Sequence, residues 1–232
     1  MYFQHADALR SDFPQLTACA LYAEGIGKDA VVDARVEHYC ALARERLAGG
    51  TESALPEIQA WRRAFTAMGL RPTQYRCASE SLLRRFRREG ALPRIHPLID
   101  LCNAVSMAYA IPVAVLDVDR IAGPGLEVRY ALGSEVYETF SGESENPEPG
   151  EVTFVDGTGR AHARRWTNRQ SGYSAVSEGT RRVLVVAEAL HDSATDDVRR
   201  LGLALSGEIA SLWGGVPLRG GLGGGGRFVF GG

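Results

Sequence analysis

The spacing of apolar residues changes along this chain, from a helical repeat in its first half to alternation in its middle. Between residues 29 and 110, apolar residues recur every three or four positions in four segments, which predicts amphipathic helices. From Leu126 to Trp166 the spacing falls to two, in four short runs separated by Gly, Pro, Ser and Asn clusters. Helices early and alternating strands in the middle predict an α+β fold, in which helices pack a central, largely antiparallel sheet.

The remaining elements are short apolar runs and a closing helix. Buried strands are expected at 18–26 and 111–119, whereas the run 181–190 fits either a central strand or a buried helix. An amphipathic helix at 193–213 precedes a glycine-rich segment.

This pattern also predicts the domain organisation. We expect one domain over residues 1–215, with a core and its cleft at 71–191 and a helical hairpin at 28–69 flanking it. Residues 216–232 have the composition of a flexible tail.

Charge is segregated along the sequence although the chain of 232 residues carries a formal net charge of only −2. Residues 62–94 hold nine arginines and two glutamates, and residues 134–156 hold seven acidic residues and no basic one. Two interpretations of the arginine segment stay open: a surface that contacts nucleic acid, or a solvated helix face. The small total is therefore compatible with an RNA-facing side and a separate acidic side.

The four cysteines do not form a metal or redox motif. They lie far apart, no CxxC pair is present, and no Cys/His cluster has metal-ligand spacing, so we expect no metal and no cofactor. The first residues lack the features of a secretory signal, and no apolar run is long enough to span a bilayer. We therefore expect a cytoplasmic protein without a membrane partner, whose thiols are free and mostly buried.

Two polar segments are candidates for binding. RPTQYR (71–76) places Tyr75 between two arginines, which suits stacking on a base and contacts to phosphates. ARRWTNRQS (163–171) surrounds Trp166 with hydrogen-bond donors, which fits a pocket for an anion or an amide. No motif for a nucleophile or a phosphate loop is present. The five histidines are scattered, and each one alone is more often a surface or capping residue than a catalytic base.

One helix adds two more candidates. In IHPLIDLCNAVSMAYA (95–110) the helical spacing places Asp100 and Asn103 on one face with Met107, so both polar side chains can project into a cleft.

Residues 93–121, PRIHPLIDLCNAVSMAYAIPVAVLDVDRI, resemble a segment of the B3/B4 editing domain in the β-subunit of bacterial phenylalanyl-tRNA synthetase. The N-terminal MYFQHADALRSDFPQL together with residues 71–85 and 164–171 resembles the freestanding members of the B3/B4 family more than the synthetase. The resemblance covers most of residues 1–215. It implies a B3/B4-like fold with a cleft, which in the synthetase hydrolyses tyrosine wrongly attached to the tRNA for phenylalanine.

The resemblance also assigns positions. The Thr-Asn pair of the family falls on Cys102 and Asn103, and the proline before its strand falls on Pro112. The synthetase histidine falls on Ala114 and its glutamate on Ala175, so both ionisable groups of the synthetase are missing at the matching positions.

The resulting hypothesis is a tRNA-binding protein that hydrolyses a mismatched aminoacyl-tRNA in trans, as an aminoacyl-tRNA deacylase. Asn103, Gln170 and Ser171 are the expected catalytic residues, because an activated ester needs mainly a positioned water and hydrogen-bond donors. Cys102 is expected to form a pocket wall, since no nearby group would lower its pKa. The residues expected to bind substrate or tRNA are Arg71, Tyr75, Arg76, Asp100, Cys102, Arg165, Trp166 and Arg169.

Two alternatives remain open. The first is a non-catalytic module that binds an aminoacyl-tRNA or an amino acid in the same cleft. The second is an accessory partner of an aminoacyl-tRNA synthetase, docked through the acidic segment and the tail.

Overall fold

Six α-helices connect the strands in the computed structural model, which describes residues 1–222 and 226–231. The helices are α1 (Asp7–Asp12), α2 (Asp33–Leu47), α3 (Pro56–Ala67), α4 (Ala78–Glu89), α5 (Pro97–Tyr109) and α6 (Ala194–Trp213). Pro56 and Pro97 each start a helix, where a missing N–H costs no helical hydrogen bond. Gly90 and Gly214 end α4 and α6 in the left-handed conformation. The four helices predicted between residues 29 and 110 are confirmed as α2 to α5.

Twelve strands in the described residues form two sheets. The strands are β1 (Tyr2–His5), β2 (Thr17–Glu24), β3 (Val113–Asp117), β4 (Gly125–Tyr130), β5 (Val136–Glu138), β6 (Ser144–Glu145), β7 (Val152–Asp156), β8 (Arg160–Arg164), β9 (Arg169–Gln170), β10 (Arg182–Ala189), β11 (Leu218–Gly221) and β12 (Phe228–Val229). The predicted α+β class is confirmed, but the strands do not share one central sheet.

The smaller sheet is antiparallel and has the order β11-β2-β10-β3. Its central strand β10 is buried throughout residues 183–189, because α6 packs on it and both of its edges are paired. Burial on both faces explains why this run is continuously apolar, and the structure shows that it is a strand, not a helix.

The larger sheet has the order β12-β1-β4-β7-β8-β5-β6, and β9 pairs with the end of β8. Its pairs are antiparallel except β1 with β4 and β5 with β8. The alternating runs of the sequence contribute the β4 to β8 region, whereas the continuously apolar runs form the smaller sheet. The two sheets therefore differ in the apolar pattern of their strands.

Helices α3, α5 and α6 contact the smaller sheet, and α1 contacts the larger one. Although the sequence predicts α2 and α3 as a helical hairpin, α2 packs mainly against α5 while α3 contacts β10. An ion pair of 2.6 Å between Arg46 Nη2 and Glu57 Oε1 links α2 with α3. None of the described helices has the length and hydropathy needed to cross a membrane.

The tail differs from the flexible segment that its composition predicts. β11 pairs with β2, and β12 pairs with β1, so residues of the tail form an edge strand in each sheet. Phe228 and Phe230 are buried, and Phe230 exchanges backbone hydrogen bonds with Met1. These two aromatic side chains bury apolar surface, which the glycine-rich composition of the tail does not suggest. Residues 223–225 and 232 of the tail lie outside the described residues.

We predict that Phe230→Ala destabilises the protein by about 3 kcal/mol, the typical cost of removing a buried ring. Val229→Ala is the matched control, because Val229 is 65% exposed and Phe230 is 2% exposed. Chemical denaturation measures both free energies of unfolding. Equal, small effects of the two substitutions would contradict the docked tail.

Candidate active site

A cleft lies between the two sheets, where β3 and β10 face β8, β9 and the turn that joins them. Its empty volume is about 470 Å³, including the open mouth. The walls combine apolar side chains with several polar ones. The apolar residues include Val113, Leu116, Phe154 and Val186, and the polar residues are His162, Thr167, Asn168, Arg169, Gln170 and Glu188. A mostly apolar cleft with a few converging polar groups is the usual form of a small-molecule site.

The turn after β8 has an unusual backbone. Arg165 and Trp166 have φ angles of +49° and +58°, a region that residues other than glycine rarely adopt. The fully buried indole of Trp166 makes edge contacts with Phe13 and Trp61, at centroid distances of 5.1 Å and 4.9 Å. This packing holds the strained turn, and such strain concentrates at functional sites.

Glu188 joins the turn to both sheets. Its Oε1 accepts hydrogen bonds from Trp166 Nε1 at 3.0 Å and lies 2.6 Å from His5 Nε2. Glu188 belongs to β10 and His5 to β1, so one buried carboxylate connects strands of the two sheets. Arg10 Nη2 lies 3.3 Å from His5 Nδ1, and burial lowers the pKa of Arg10.

A register shift places His162 on the cleft. Phe154 pairs with Ala163 and Val155 pairs with Ala161, so β8 has one extra residue, His162, opposite β7. A bulge of this kind often redirects a side chain near an active site. His162 lines the cleft, and its Nε2 lies 3.2 Å from Asp156 Oδ2.

Asp156 is surrounded by hydrogen-bond donors. Its oxygens accept from Ala122 N, Thr158 N, Thr158 Oγ1, Arg160 N and His162. Burial alone would raise the pKa of Asp156, but these hydrogen bonds outweigh it and hold the pKa well below its usual range. The carboxylate is therefore ionised and acts only as an acceptor.

Two amide side chains bridge the walls of the cleft. Gln170 Nε2 donates to Val115 O at 2.7 Å, and Asn168 Nδ2 donates to Arg76 O at 2.8 Å. Each amide nitrogen keeps a second hydrogen, so each side chain can offer its oxygen and one N–H to a ligand.

The two segments singled out in the sequence contact each other beside this cleft. Asn168 bonds to the backbone of Arg76, Ala78 N donates to Thr167 O at 2.8 Å, and Arg165 Cζ lies 4.7 Å from the ring centroid of Tyr75. Trp166, Arg169 and Gln170 line the cleft itself. Residues 71–76 and 164–171 thus form one continuous surface.

Other predicted site residues lie elsewhere. Asp100 and Asn103 line a second cavity between α2, α4 and α5, together with Arg94, and this cavity shares no lining residue with the cleft. Cys102 is fully buried in the core, where desolvation raises the pKa of its thiol to about 12. Ser171 is buried and its hydroxyl donates to Glu138 O at 2.8 Å.

His5, His162 and Glu188 are the site residues that sequence reasoning missed. Glu188 had a signal, since it is the one charged residue in the apolar run from Val183 to Leu190. A lone charge inside a buried strand needs a partner and marks a polar site. His162 had no such signal, because a register shift is not visible in an alternating pattern.

Most arginines of the basic segment have acidic partners in space, including residues outside the segment. The pairs are Arg62 and Arg76 with Glu80, Arg84 and Arg87 with Glu52, Arg85 and Arg88 with Glu89, and Arg94 with Asp33 and Asp100. Among the ion pairs of the described residues, none involves Arg63, Arg71 or the side chain of Arg165, although Arg165 lies close enough to Glu151 to help lower the pKa of that carboxyl. The basic surface is therefore narrower than the sequence suggests.

The acidic segment is paired in the same way. Glu135 pairs with Arg129, Glu138 with Arg160, and Glu145 and Glu151 with Arg164. Sequence charge segregation is largely cancelled by these contacts between strands.

One group of described side chains has the spacing of a metal site. Glu57, His191 and Asp197 offer ligand atoms within 4.8 Å of one another, away from the cleft. However, Arg46 already pairs with Glu57 and Arg200 with Asp197, so the arginines balance both carboxylates.

The B3/4 domain family matches residues 60–206 of this chain. A search of curated proteins found no match. Among solved structures, an N-terminal fragment of the phenylalanyl-tRNA synthetase β-subunit from Pyrococcus horikoshii is similar, with a TM-score of 0.50 and 9% sequence identity. The similarity covers 94% of this chain and 49% of that chain, so this chain spans about half the length of the fragment. At this identity the likeness shows a shared fold.

We predict that Asp156→Asn destabilises the protein by about 2 kcal/mol at pH 7, because hydrogen bonds to a charged acceptor become weaker. Since the folded-state pKa is lowered, this stabilisation is present above about pH 4 and is lost as the pH falls further. The free energy of unfolding should therefore fall less steeply below pH 4 in Asp156→Asn than in the wild type. Asp192→Asn, at an exposed position, is the control. If the free energy of unfolding of Asp156→Asn fell below pH 4 as steeply as that of the wild type, the prediction would be wrong.

Proposed function

The chain belongs to the B3/4 domain family, and from this premise we propose that it binds the aminoacylated end of a tRNA in the cleft and hydrolyses a mismatched aminoacyl ester in trans. One observation carries the proposal: a cationic and aromatic surface adjoins a mostly apolar cleft that contains a few polar groups. Arg165 and Tyr75 stack beside the cleft, and Glu188, His162 and Gln170 line it. An aminoacyl-tRNA has the same two parts, an anionic, stacked RNA end and a small polar ester.

The surface beside the cleft provides the groups that RNA recognition needs. Tyr75 has an aromatic face for a base, and Arg71 and Arg165 are cations that form no ion pair among residues 1–222 and 226–231. Arginine contacts to phosphate position a nucleic acid without reading its sequence. Such contacts fit a protein that selects its substrate by the attached amino acid and not by the RNA sequence.

The interior provides acceptors for the amino acid. Because the Gln170 amide nitrogen is bonded to Val115 O, its Oε1 is available to an α-ammonium group. The carboxylate of Glu188 lies in the same cleft and complements a positive charge. Thr167 Oγ1 is buried without a hydrogen-bond partner among the described residues and can donate to a developing oxyanion.

A second candidate function is binding without hydrolysis. Ala114, the position that the resemblance matches to the synthetase histidine, lines the cleft and offers no proton-transfer group. On this alternative the protein retains an aminoacyl-tRNA and does not turn it over.

A panel of mischarged tRNAs tests the proposal directly. We expect the purified protein to accelerate ester loss for at least one amino acid, and Arg165→Gln to weaken tRNA binding about tenfold through loss of one phosphate contact. Arg199→Gln, on an exposed α6 position, is the charge-matched control. Salt-dependent tRNA binding without turnover of any ester would select the binding alternative.

The two cavities can be distinguished by one pair of variants. We expect Gln170→Ala to lower kcat/KM at least tenfold, because it loses both an acceptor and the bridge to Val115. Asn103→Ala should lower kcat/KM by a smaller factor, since Asn103 lies in the second cavity. A larger loss at Asn103 than at Gln170 would place the reaction in the second cavity.

A further inference from the structure

One imidazole nitrogen on the cleft has no hydrogen-bond partner. His162 Nδ1 is buried and unpaired among the described residues, and so is Thr167 Oγ1, which lines the same cleft. Buried polar atoms normally have partners, and exceptions point to a missing water, ligand or substrate. Two of the unpaired buried atoms among the described residues belong to side chains that line this cleft, so a polar occupant of the cleft would lie beside both side chains.

The surroundings of Asp156 determine which nitrogen of His162 carries the proton. Every group that contacts the Asp156 oxygens from the backbone or from Thr158 is a donor, so the carboxylate accepts from His162 as well. Nε2 of His162 therefore carries the hydrogen, and in the neutral ring Nδ1 has a free lone pair. An acceptor that orients the far side of an imidazole in this way is common in catalytic sites.

We propose that His162 is the general base of the hydrolysis and that Asp156 is its positioning residue, an assignment that rests on the proposed function. His162 Nδ1 removes a proton from a water molecule while the water oxygen bonds to the ester carbonyl carbon. The bond from that carbon to the ribose oxygen then breaks, and the Nδ1 proton passes to the departing ribose oxygen. The imidazole returns to its neutral form, and the products are a free amino acid and the tRNA hydroxyl.

Other described groups are less suited to this role. His5 is already paired with Glu188 and Arg10, and His162 is the one histidine that lines the cleft among the described residues. Ser171 donates its hydroxyl to a backbone carbonyl, and the Cys102 thiol is in the core.

Charged and titratable groups surround His162 on several elements. Tyr173 lies 6.3 Å from His162 between ring centroids, and Arg160 and Arg120 stack on Tyr173. The groups that face His162 from the elements around it are Asp156, Arg160, Tyr173, Arg120, Arg169 and Glu188.

Single-turnover deacylation of a mischarged tRNA tests the assignment. We expect His162→Gln to lower the rate constant at least 100-fold with tRNA affinity unchanged, a typical contribution of general-base catalysis. The wild-type rate should fall towards acid pH, because a protonated general base cannot accept a proton, and His162→Gln should lose this dependence. His38→Gln, at an exposed position on α2, should retain the wild-type rate and pH profile.

A second variant and a spectroscopic measurement keep the test valid if His162→Gln does not fold. Asp156→Asn should lower the rate at least tenfold at unchanged KM, because it weakens control of the tautomer. Nitrogen NMR of the wild-type protein should show His162 protonated at Nε2 and bare at Nδ1. The opposite tautomer would overturn the assignment.

The outcomes separate this assignment from the proposed function. A wild type that deacylates, with His162→Gln keeping more than a third of its rate and the same pH profile, overturns the general base and leaves the function standing. A wild type that deacylates no substrate overturns both.

Discussion

A single buried carboxylate sets the geometry of this protein. Glu188 lies on the central strand of the smaller sheet, and its Oε1 contacts His5 of the larger sheet and the indole of Trp166. A buried charge without partners is strongly unfavourable, so these contacts must persist in the folded state. They therefore connect the two sheets at a point beside the cleft.

The contacts of Glu188 also hold the conformation of the turn after β8. Because Trp166 is held by Glu188 and by the rings of Phe13 and Trp61, the backbone at Arg165 and Trp166 stays in the left-handed region. This conformation directs Thr167 to Gln170 along one wall of the cleft. It also places the Arg165 guanidinium on the ring of Tyr75, beside the cleft. The Arg165–Tyr75 surface and the polar wall of the cleft thus depend on the same buried contact.

Local sequence rules predict much of this arrangement. Where they fail, the failure has a physical reason. Helical spacing predicts α2 to α5, and the two polar segments 71–76 and 164–171 meet as one surface. The position of Asn103 in a second cavity depends on how α5 packs against α2 and α4, which spacing alone does not specify. The tail is ordered by Phe228 and Phe230 despite its glycines.

The polar side chains in and around the cleft are the hardest to predict. Strand alternation cannot show that His162 is the extra residue of β8, because the register depends on its pairing with β7. The acceptor role of Asp156 likewise arises from a turn that brings backbone donors to one carboxylate. Glu188 is the exception, since a lone charge in an apolar run is visible in the sequence.

The central claim is that the cleft between the sheets holds the aminoacyl end of a tRNA. A crystal structure with a non-hydrolysable 3′-aminoacylamido-3′-deoxyadenosine tests it most directly. The account predicts that the adenosine lies against Tyr75 and Arg165, with the amide carbonyl near His162 and Thr167. An analogue bound beside Asn103 in the second cavity, or no bound analogue at saturating concentration, would contradict it.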